Sequence, residues 1–492
     1  MTKRLLPPII ALAGLTLYGT FLMRHASYAV GGSDSSGYAN IARSLTTGRL
    51  VERVEMLDRF ALPDGFAPAF APLAYLLGPR PGTLTPFYPV GLPLHLAVAA
   101  IIGGWRSGPF FVIPLLATLS LLFIYLVGRE LDLSRALAGT GAVMLGICPV
   151  FLFQAQWVMS DVAATFWALV AVFASLRAKK RAAWALLAGF AFGTGVLVRP
   201  TSALMLIPIL FGLPLRPRCL LFFALGGLPT AMVLFIYDLT AYGSIWRTGY
   251  GQIGLTGLLT FRDFNARFSH YIYWLAAMMS PLPLIGWLGA PFDRRILWRY
   301  RALLMAWFGA FLLFFSCYEI YQEWWYTRFL LPGIPALILG SLLAARDLGA
   351  LVGGERLRGA LKAAPVVLLL LVTIGFAQRL IQRFSVLENG RGQLPHRISC
   401  QRADILLPKQ TLILSMEMSG ALKFYTGRPI VRWDLIELPQ MDALKWTARA
   451  QGYYWGALLL PEEVEPAQRR LSGRWQLMTE VGSISLWMID FE

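Results

Sequence analysis

Long apolar runs separated by short basic or proline-rich breaks organise the whole chain. A spanning helix needs about 20 apolar residues. Runs of that kind fall at roughly 5–23, 107–127, 136–156, 158–176, 184–213, 219–241, 271–290, 302–318, 329–345 and 363–381. The run 184–213 is interrupted by Arg199-Pro200 and predicts two short helices forming a hairpin, because proline removes a backbone donor and charge is costly at mid-membrane. With that break the pattern predicts about eleven spans. The segment 89–104 is too short to span and reads as re-entrant or interfacial.

Composition sharpens this. Of 492 residues, 57% are hydrophobic and 14% charged, whereas a soluble domain is about a quarter charged. A soluble enzyme and a disordered chain are both excluded. The net charge of +17 would suit a nucleic-acid binder, but its placement argues otherwise. The basic residues cluster in loops between apolar runs: Lys3-Arg4; Arg129 and Arg135; Arg177 to Arg181; Arg216 and Arg218; Arg294, Arg295, Arg299 and Arg301; Arg346, Arg356, Arg358 and Lys362. That is the positive-inside pattern, so the expected partner is membrane lipid, with no nucleic acid. Keeping every cluster on the cytoplasmic side puts the N-terminus inside. The first loop, 24–106, and the tail, 382–492, are then outside.

The expected organisation is a membrane domain over 1–381 and an extracytoplasmic α/β domain over 382–492. The tail is more densely charged than the rest of the chain. Its apolar runs Thr411–Ser415 and Gly456–Leu460 alternate with helix-like stretches such as Met441–Gln451. Cys148, Cys219 and Cys317 lie in apolar runs and Cys400 stands alone, so neither a disulfide framework nor a thiolate zinc site is indicated. Pro7-Pro8 interrupts the first run and no Ala-x-Ala site follows it, which argues against a cleaved signal.

Candidate chemistry gathers on the outer side. In Asp34-Ser-Ser-Gly-Tyr38, the recurrence of Tyr38, Ile41 and Leu45 predicts a short amphipathic helix on the outer surface, ended by Gly48. On spacing alone Asp34 reads better as the helix N-cap than as a catalytic carboxylate. Phe87-Tyr88-Pro89-Val-Gly91-Leu-Pro93 forces a fixed, non-helical approach to an apolar segment and places Tyr88 either in a plain re-entrant turn or beside a cavity. His95 has no metal-ligand partner at helical spacing and takes no metal role. Asp161 follows the outer loop Gln154–Ser160; it either caps the next helix or joins Asp34 as a carboxylate pair for a divalent cation. Arg199, Arg328 and Asp238 are ionisable groups within or at the ends of apolar runs, and such groups are functional by default. The plain alternatives are snorkelling of Arg328 to headgroups and neutralisation of one arginine by Asp238.

Taken together, the motifs Asp34-Ser-Ser-Gly-Tyr38, Phe87-Tyr88-Pro89-Val-Gly91-Leu-Pro93-Leu, Ser160-Asp161-Val, Leu197-Val-Arg199-Pro200-Thr201 and Tyr326-Thr-Arg328-Phe-Leu-Leu-Pro332 resemble the polyprenyl-phosphate-sugar-dependent membrane glycosyltransferases of the GT-C fold. The branch they look most like is that of the dolichyl-phosphate-mannose protein mannosyltransferases and aminoarabinose-lipid A transferases. The resemblance implies transfer of a sugar from a polyprenyl-phosphate donor to a hydroxyl of a glycolipid, polysaccharide or protein at the outer face of a bacterial inner membrane. It gives Asp34 the role of essential carboxylate, and with it the catalytic reading of that residue is favoured. Ser35 stands where the protein mannosyltransferases carry glutamate, which turns the expectation away from a protein acceptor. One general base acting on the attacking hydroxyl implies inversion at the anomeric carbon. Arg199 and Arg328, or a divalent metal, would stabilise the leaving phosphate. The other functional class is a polyprenyl-lipid or small-molecule transporter or flippase, whose usual inverted repeats are not found. A non-enzymatic assembly subunit would leave Asp34, Arg199 and Arg328 unexplained.

Overall fold

The computed structural model describes residues 2–252, 259–289, 297–353 and 359–491. Arg294, Arg295, Arg356 and Arg358 of the basic clusters lie outside the described residues. The chain forms two compact units, one of residues 1–26, 113–233 and 254–389, the other of 27–112, 234–253 and 390–492.

The first unit is helical. Five helices among the described residues are long and apolar enough to cross a membrane: Gly108–Glu130, Ser160–Arg177, Pro217–Tyr242, Ile334–Leu351 and Lys362–Arg383. A sixth candidate is a bent pair, Phe264–Met279 with Leu282–Gly289, turned by 110°. The bend falls where Ser280 takes a positive φ of 69° just before Pro281, a residue that cannot donate to a continuing helix. The expected span 136–156 is likewise two helices, Arg135–Gly146 and Pro149–Gln154. Pro149 pushes Cys148 out of helical geometry and opens the second helix. The predicted break in 184–213 is present: Trp184–Val198 ends at Arg199, whose backbone is extended, and a 3-10 turn leads into Leu206–Gly212. The segment 89–104 forms the 13-residue helix Gly91–Gly103, too short to span alone.

Apolar exposure identifies the solvent. The apolar window of Ser160–Arg177 is 89% buried, whereas that of Pro217–Tyr242 is 17% buried and presents Leu221, Leu225, Leu228 and Met232 outward. A face this apolar is stable against lipid tails and not against water. Small residues bring neighbouring helices close. A Cβ on Gly189 would fall 1.9 Å from the carbonyl oxygen of Phe223, and one on Gly226 would fall 2.0 Å from that of Leu186. The core holds the fully buried Trp307, Tyr271, Phe308, Phe311 and Phe315.

The second unit is α/β. Its tail sheet runs in the order β5 (Ile430–Val431), β4 (Thr411–Leu414), β6 (Tyr454–Leu459), β8 (Ile484–Asp490), β7 (Arg474–Val481). Strand β4 is parallel to β5 and β6, and β8 is antiparallel to its neighbours. The two apolar runs read as strands are β4 and β6, and the helix-like stretch is Leu438–Ala450. The first loop supplies a small sheet, β1 (Glu52–Arg53), β3 (Thr83–Pro86) and β2 (Tyr75–Leu77). Loop and tail are not separate bodies. Phe60, Phe66 and Phe70 of the loop share one apolar core with Leu412, Val431 and Trp455 of the tail.

Candidate active site

The sequence-predicted residues fall into two groups, one in each unit. The second unit holds Asp34, Tyr38, Tyr88 and Asp238. The expected helix is Gly32–Thr47, closed by Gly48 in left-handed conformation at φ 69°, where glycine costs least. Its N-cap is Gly31, and no side chain caps it. Asp34 therefore sits inside the first turn, where the helix dipole favours its charge, and its carboxylate accepts a hydrogen bond from the hydroxyl of Tyr88. Ser33 Oγ lies 3.2 Å from the same hydroxyl, and the Tyr38 ring packs on the Tyr88 ring with centroids 4.6 Å apart.

Glycine at position 37 makes this pairing possible. A Cβ there would stand 2.6 Å from Tyr88 Cε2 and 2.4 Å from Ala74 Cβ, so the Tyr88 ring seats directly on the helix backbone. From the other side Tyr237 donates to the Tyr88 carbonyl at 2.8 Å and Tyr242 to that of Pro86 at 3.1 Å. Burial, reinforced by the Asp34 charge, pushes the Tyr88 hydroxyl well above its ordinary pKa, so Tyr88 stays protonated and remains a donor. Asp238 is buried beside Tyr237 and Tyr242, and among the described residues no ion pair forms to it.

The helix of Asp34 does not lie on the surface as expected. Residues 35–42 are all buried, because the tail closes over its other face. Asn40 Nδ2 donates to Gly420 O at 2.8 Å, Arg43 Nη1 to Phe424 O at 2.6 Å, and Tyr425 Oη accepts from Val30 N at 2.8 Å. The His396 ring abuts Gly31, where a Cβ would come within 2.5 Å of it. Burial lowers the His396 pKa below 6.5.

In the first unit Arg199 forms an ion pair with the carboxylate of Asp161, which is 1% exposed. Asp161 sits in the first turn of Ser160–Arg177, and the break at Arg199-Pro200 turns the guanidinium toward it. The Arg199 guanidinium lies 4.9 Å from the Phe329 ring centre, and that of Arg328 lies 5.3 Å from the same ring. One aromatic ring is thus shared by both predicted phosphate ligands. Arg328 also lies against Trp325 and Tyr326. Tyr271 is within electrostatic reach of both arginines. It is fully buried, and among the described residues its hydroxyl has no hydrogen-bond partner. His270, its neighbour, buries Nε2 in the same condition.

Sequence reasoning missed Phe329, Tyr271, Tyr237, Tyr242, Asn40 and His396. Aromatic residues on apolar helices carry no mark that separates core from site. The signals for Tyr237 and Tyr242 are their hydroxyls alone. Among the described residues no three His, Cys, Asp or Glu side chains gather as a metal set. Asp34 has Tyr88 as a partner and Asp161 has Arg199.

A family model described as dolichyl-phosphate-mannose-protein mannosyltransferase matches residues 88–237, the stretch that holds Tyr88, Asp161 and Arg199. No curated protein matches the chain. Solved structures are similar in fold. ArnT from Cupriavidus metallidurans bound to undecaprenyl phosphate is 14% identical, with TM-score 0.58 and coverage of 98% of this chain and 97% of that one. The oligosaccharyltransferase AglB from Archaeoglobus fulgidus, in complex with an inhibitory peptide and a dolichol-phosphate, is 13% identical, with TM-score 0.57 and coverage of 97% and 74%. The arabinofuranosyltransferase AftD from Mycobacteria is 12% identical, with TM-score 0.54, and this chain spans 42% of it. The chain is therefore a multi-pass membrane protein with a GT-C-like fold, and over residues 88–237 it is similar to the dolichyl-phosphate-mannose-protein mannosyltransferases.

Proposed function

We propose that this protein is an integral membrane glycosyltransferase that moves a sugar from a polyprenyl-phosphate donor to an acceptor hydroxyl at the outer face of a bacterial inner membrane. The observation that carries the reading is the Asp34 carboxylate, held in a helix first turn by a hydroxyl that stays protonated. The mannosyltransferase-like segment 88–237 and the fold shared with a protein bound to undecaprenyl phosphate support it.

In the reaction Asp34 takes the proton of the acceptor hydroxyl. The freed oxygen attacks the anomeric carbon, whose bond to the phosphate oxygen breaks as the new bond forms, inverting the centre. The bond pair leaves with polyprenyl phosphate, which gains one negative charge. The leaving charge calls for fixed cations; within the first unit, Arg199 and Arg328 around the Phe329 ring, with the Tyr271 hydroxyl, are the group able to hold a phosphate. Tyr88 orients Asp34 through its hydrogen bond. No step is assigned to a metal. In the same proposal the termini keep the sidedness given above, and the tail from 382 onward is extracytoplasmic together with the first loop whose core it shares.

The test is transfer of radiolabelled sugar from a polyprenyl-phosphate donor by purified protein in liposomes, with the product's anomeric configuration read by NMR. Inverted product supports the reading. Facilitated movement of the lipid across the bilayer without transfer would replace it with the flippase reading.

A further inference from the structure

The second unit contains a cleft of about 850 Å³, within the size range of ligand sites. Its walls come from the first loop and the tail, and they carry six cationic side chains against two carboxylates. One wall is the helix Gly32–Thr47 through Asn40, Arg43, Ser44 and Thr47. Several of the cations are accounted for inside the protein, as in the pair of Lys423 with Glu52 at 2.6 Å. Arg43 and Arg49 have no ion pair among the described residues. Arg43 is held between Trp105 and Phe424, its guanidinium 5.2 and 4.3 Å from the ring centres. Its guanidinium donates to the carbonyl of Phe424. Burial lowers its pKa, and among the described residues no carboxylate compensates it. Arg49, just past the helix end, is exposed, and its side chain has no ion pair among the described residues.

Two ring faces and one carbonyl offset part of the cost of desolvating Arg43, while its charge has no counter-ion among the described residues, so an anion entering the cleft gains from it. Beside the arginines the cleft wall carries the exposed Thr47 hydroxyl and the carboxylates of Glu52 and Glu55, groups that hydrogen-bond sugar hydroxyls. We infer that this cleft binds an acidic glycan, its carboxylate or phosphate oxygens meeting Arg43 and Arg49. Arg43 is nine residues beyond Asp34, about 14 Å along the axis and half a turn round it. The cleft is thus a second subsite, separate from the reacting one. Naming the glycan as part of the acceptor rests on the glycosyltransferase reading.

The test measures binding to the full-length protein in lipid nanodiscs without donor. The probes are hyaluronan tetrasaccharide for carboxylate, mannose 6-phosphate for phosphate, neutral maltotetraose and inorganic phosphate. At least one acidic sugar should bind, maltotetraose should not, and inorganic phosphate should bind more weakly than the acidic sugar. Arg49→Glu, an exposed change that leaves the fold intact, should weaken the acidic sugar by about tenfold or more, and Arg43→Lys should weaken it as well. Failure of both acidic sugars to bind, equal binding of maltotetraose or inorganic phosphate, or unchanged affinity in Arg49→Glu would overturn the inference. Asp34→Asn should bind the acidic sugar normally, so loss of transfer and loss of cleft binding are read separately.

Discussion

The hydroxyl of Tyr88 donates a hydrogen bond to the carboxylate of Asp34, 54 residues earlier in the chain. Two motifs that look unrelated along the sequence are one device. The ring that makes the bond rests on Gly37 and on the Tyr38 ring.

Removing the hydroxyl should therefore impair turnover more than folding. Tyr88→Phe keeps the ring on Gly37 and deletes one hydrogen bond to a charged acceptor, an effect of about 1.5–3 kcal/mol where fully expressed. Turnover should fall on the order of tenfold with KM little changed. Gly37→Ala should be worse, since its Cβ overlaps the Tyr88 ring and Ala74, and it should lower thermal stability too. Steady-state kinetics and thermal unfolding in lipid check both. Wild-type turnover of Tyr88→Phe would remove the orienting role.

The Asp161–Arg199 pair separates stability from chemistry. Asp161→Asn strips the partner from a largely buried arginine and should destabilise by about 3–5 kcal/mol. The double change Asp161→Leu with Arg199→Met should recover stability, because an apolar pair replaces a buried ion pair at little cost. It should not recover donor use. Arg199→Lys should weaken donor use several-fold, since it loses the planar fork. Arg328→Ala and Arg199→Ala should combine non-additively, both guanidiniums sharing the Phe329 ring. Donor titration of folded variants decides; full donor use by the apolar double variant would clear Arg199 of its phosphate role.

His396 should make the second unit acid-sensitive. Its folded pKa is depressed by burial, so the unfolded chain binds the proton first. The stability linked to neutral His396 is present above pH 6.5, its ordinary value, and is lost as pH falls below it. Lowering pH from about 7.5 to about 5.5 should reduce the unfolding temperature of the wild type more than that of His396→Gln. An equal drop in both proteins would show that the group does not titrate on folding.

Sidedness has a direct check. Cysteines placed in 24–106 and in the tail should label from outside in intact cells, and those at 177–181 should not. The reverse pattern would overturn the orientation on which the chemistry depends.

Much of the fold is legible in the sequence because the long apolar helices, the Arg199-Pro200 break and the tail strands are local patterns. The expected count of about eleven spans is not established, since among the described residues five helices, or six with the bent pair, are long and apolar enough to cross. What is not legible is non-local. No periodicity announces that Phe70 and Trp455 share a core, or that Asn40 reaches Gly420. The amphipathic helix of Asp34 therefore reads as a surface element although the tail buries it. The N-cap reading of Asp34 failed for a local reason: Gly31 already supplies the extended cap conformation. Breaks at Cys148-Pro149 and Ser280-Pro281 carry their signal openly in the prolines, whereas the partner of Asp161 shows only when the helices are packed.

The central claim is that Asp34 is the general base. Asp34→Asn preserves size and leaves the Gly31 cap untouched, so purified variant in liposomes should fold and bind donor as the wild type does. Transfer of radiolabelled sugar from a polyprenyl-phosphate donor should fall at least about 10²-fold, the general-base contribution. Near-wild-type transfer by Asp34→Asn would contradict the account.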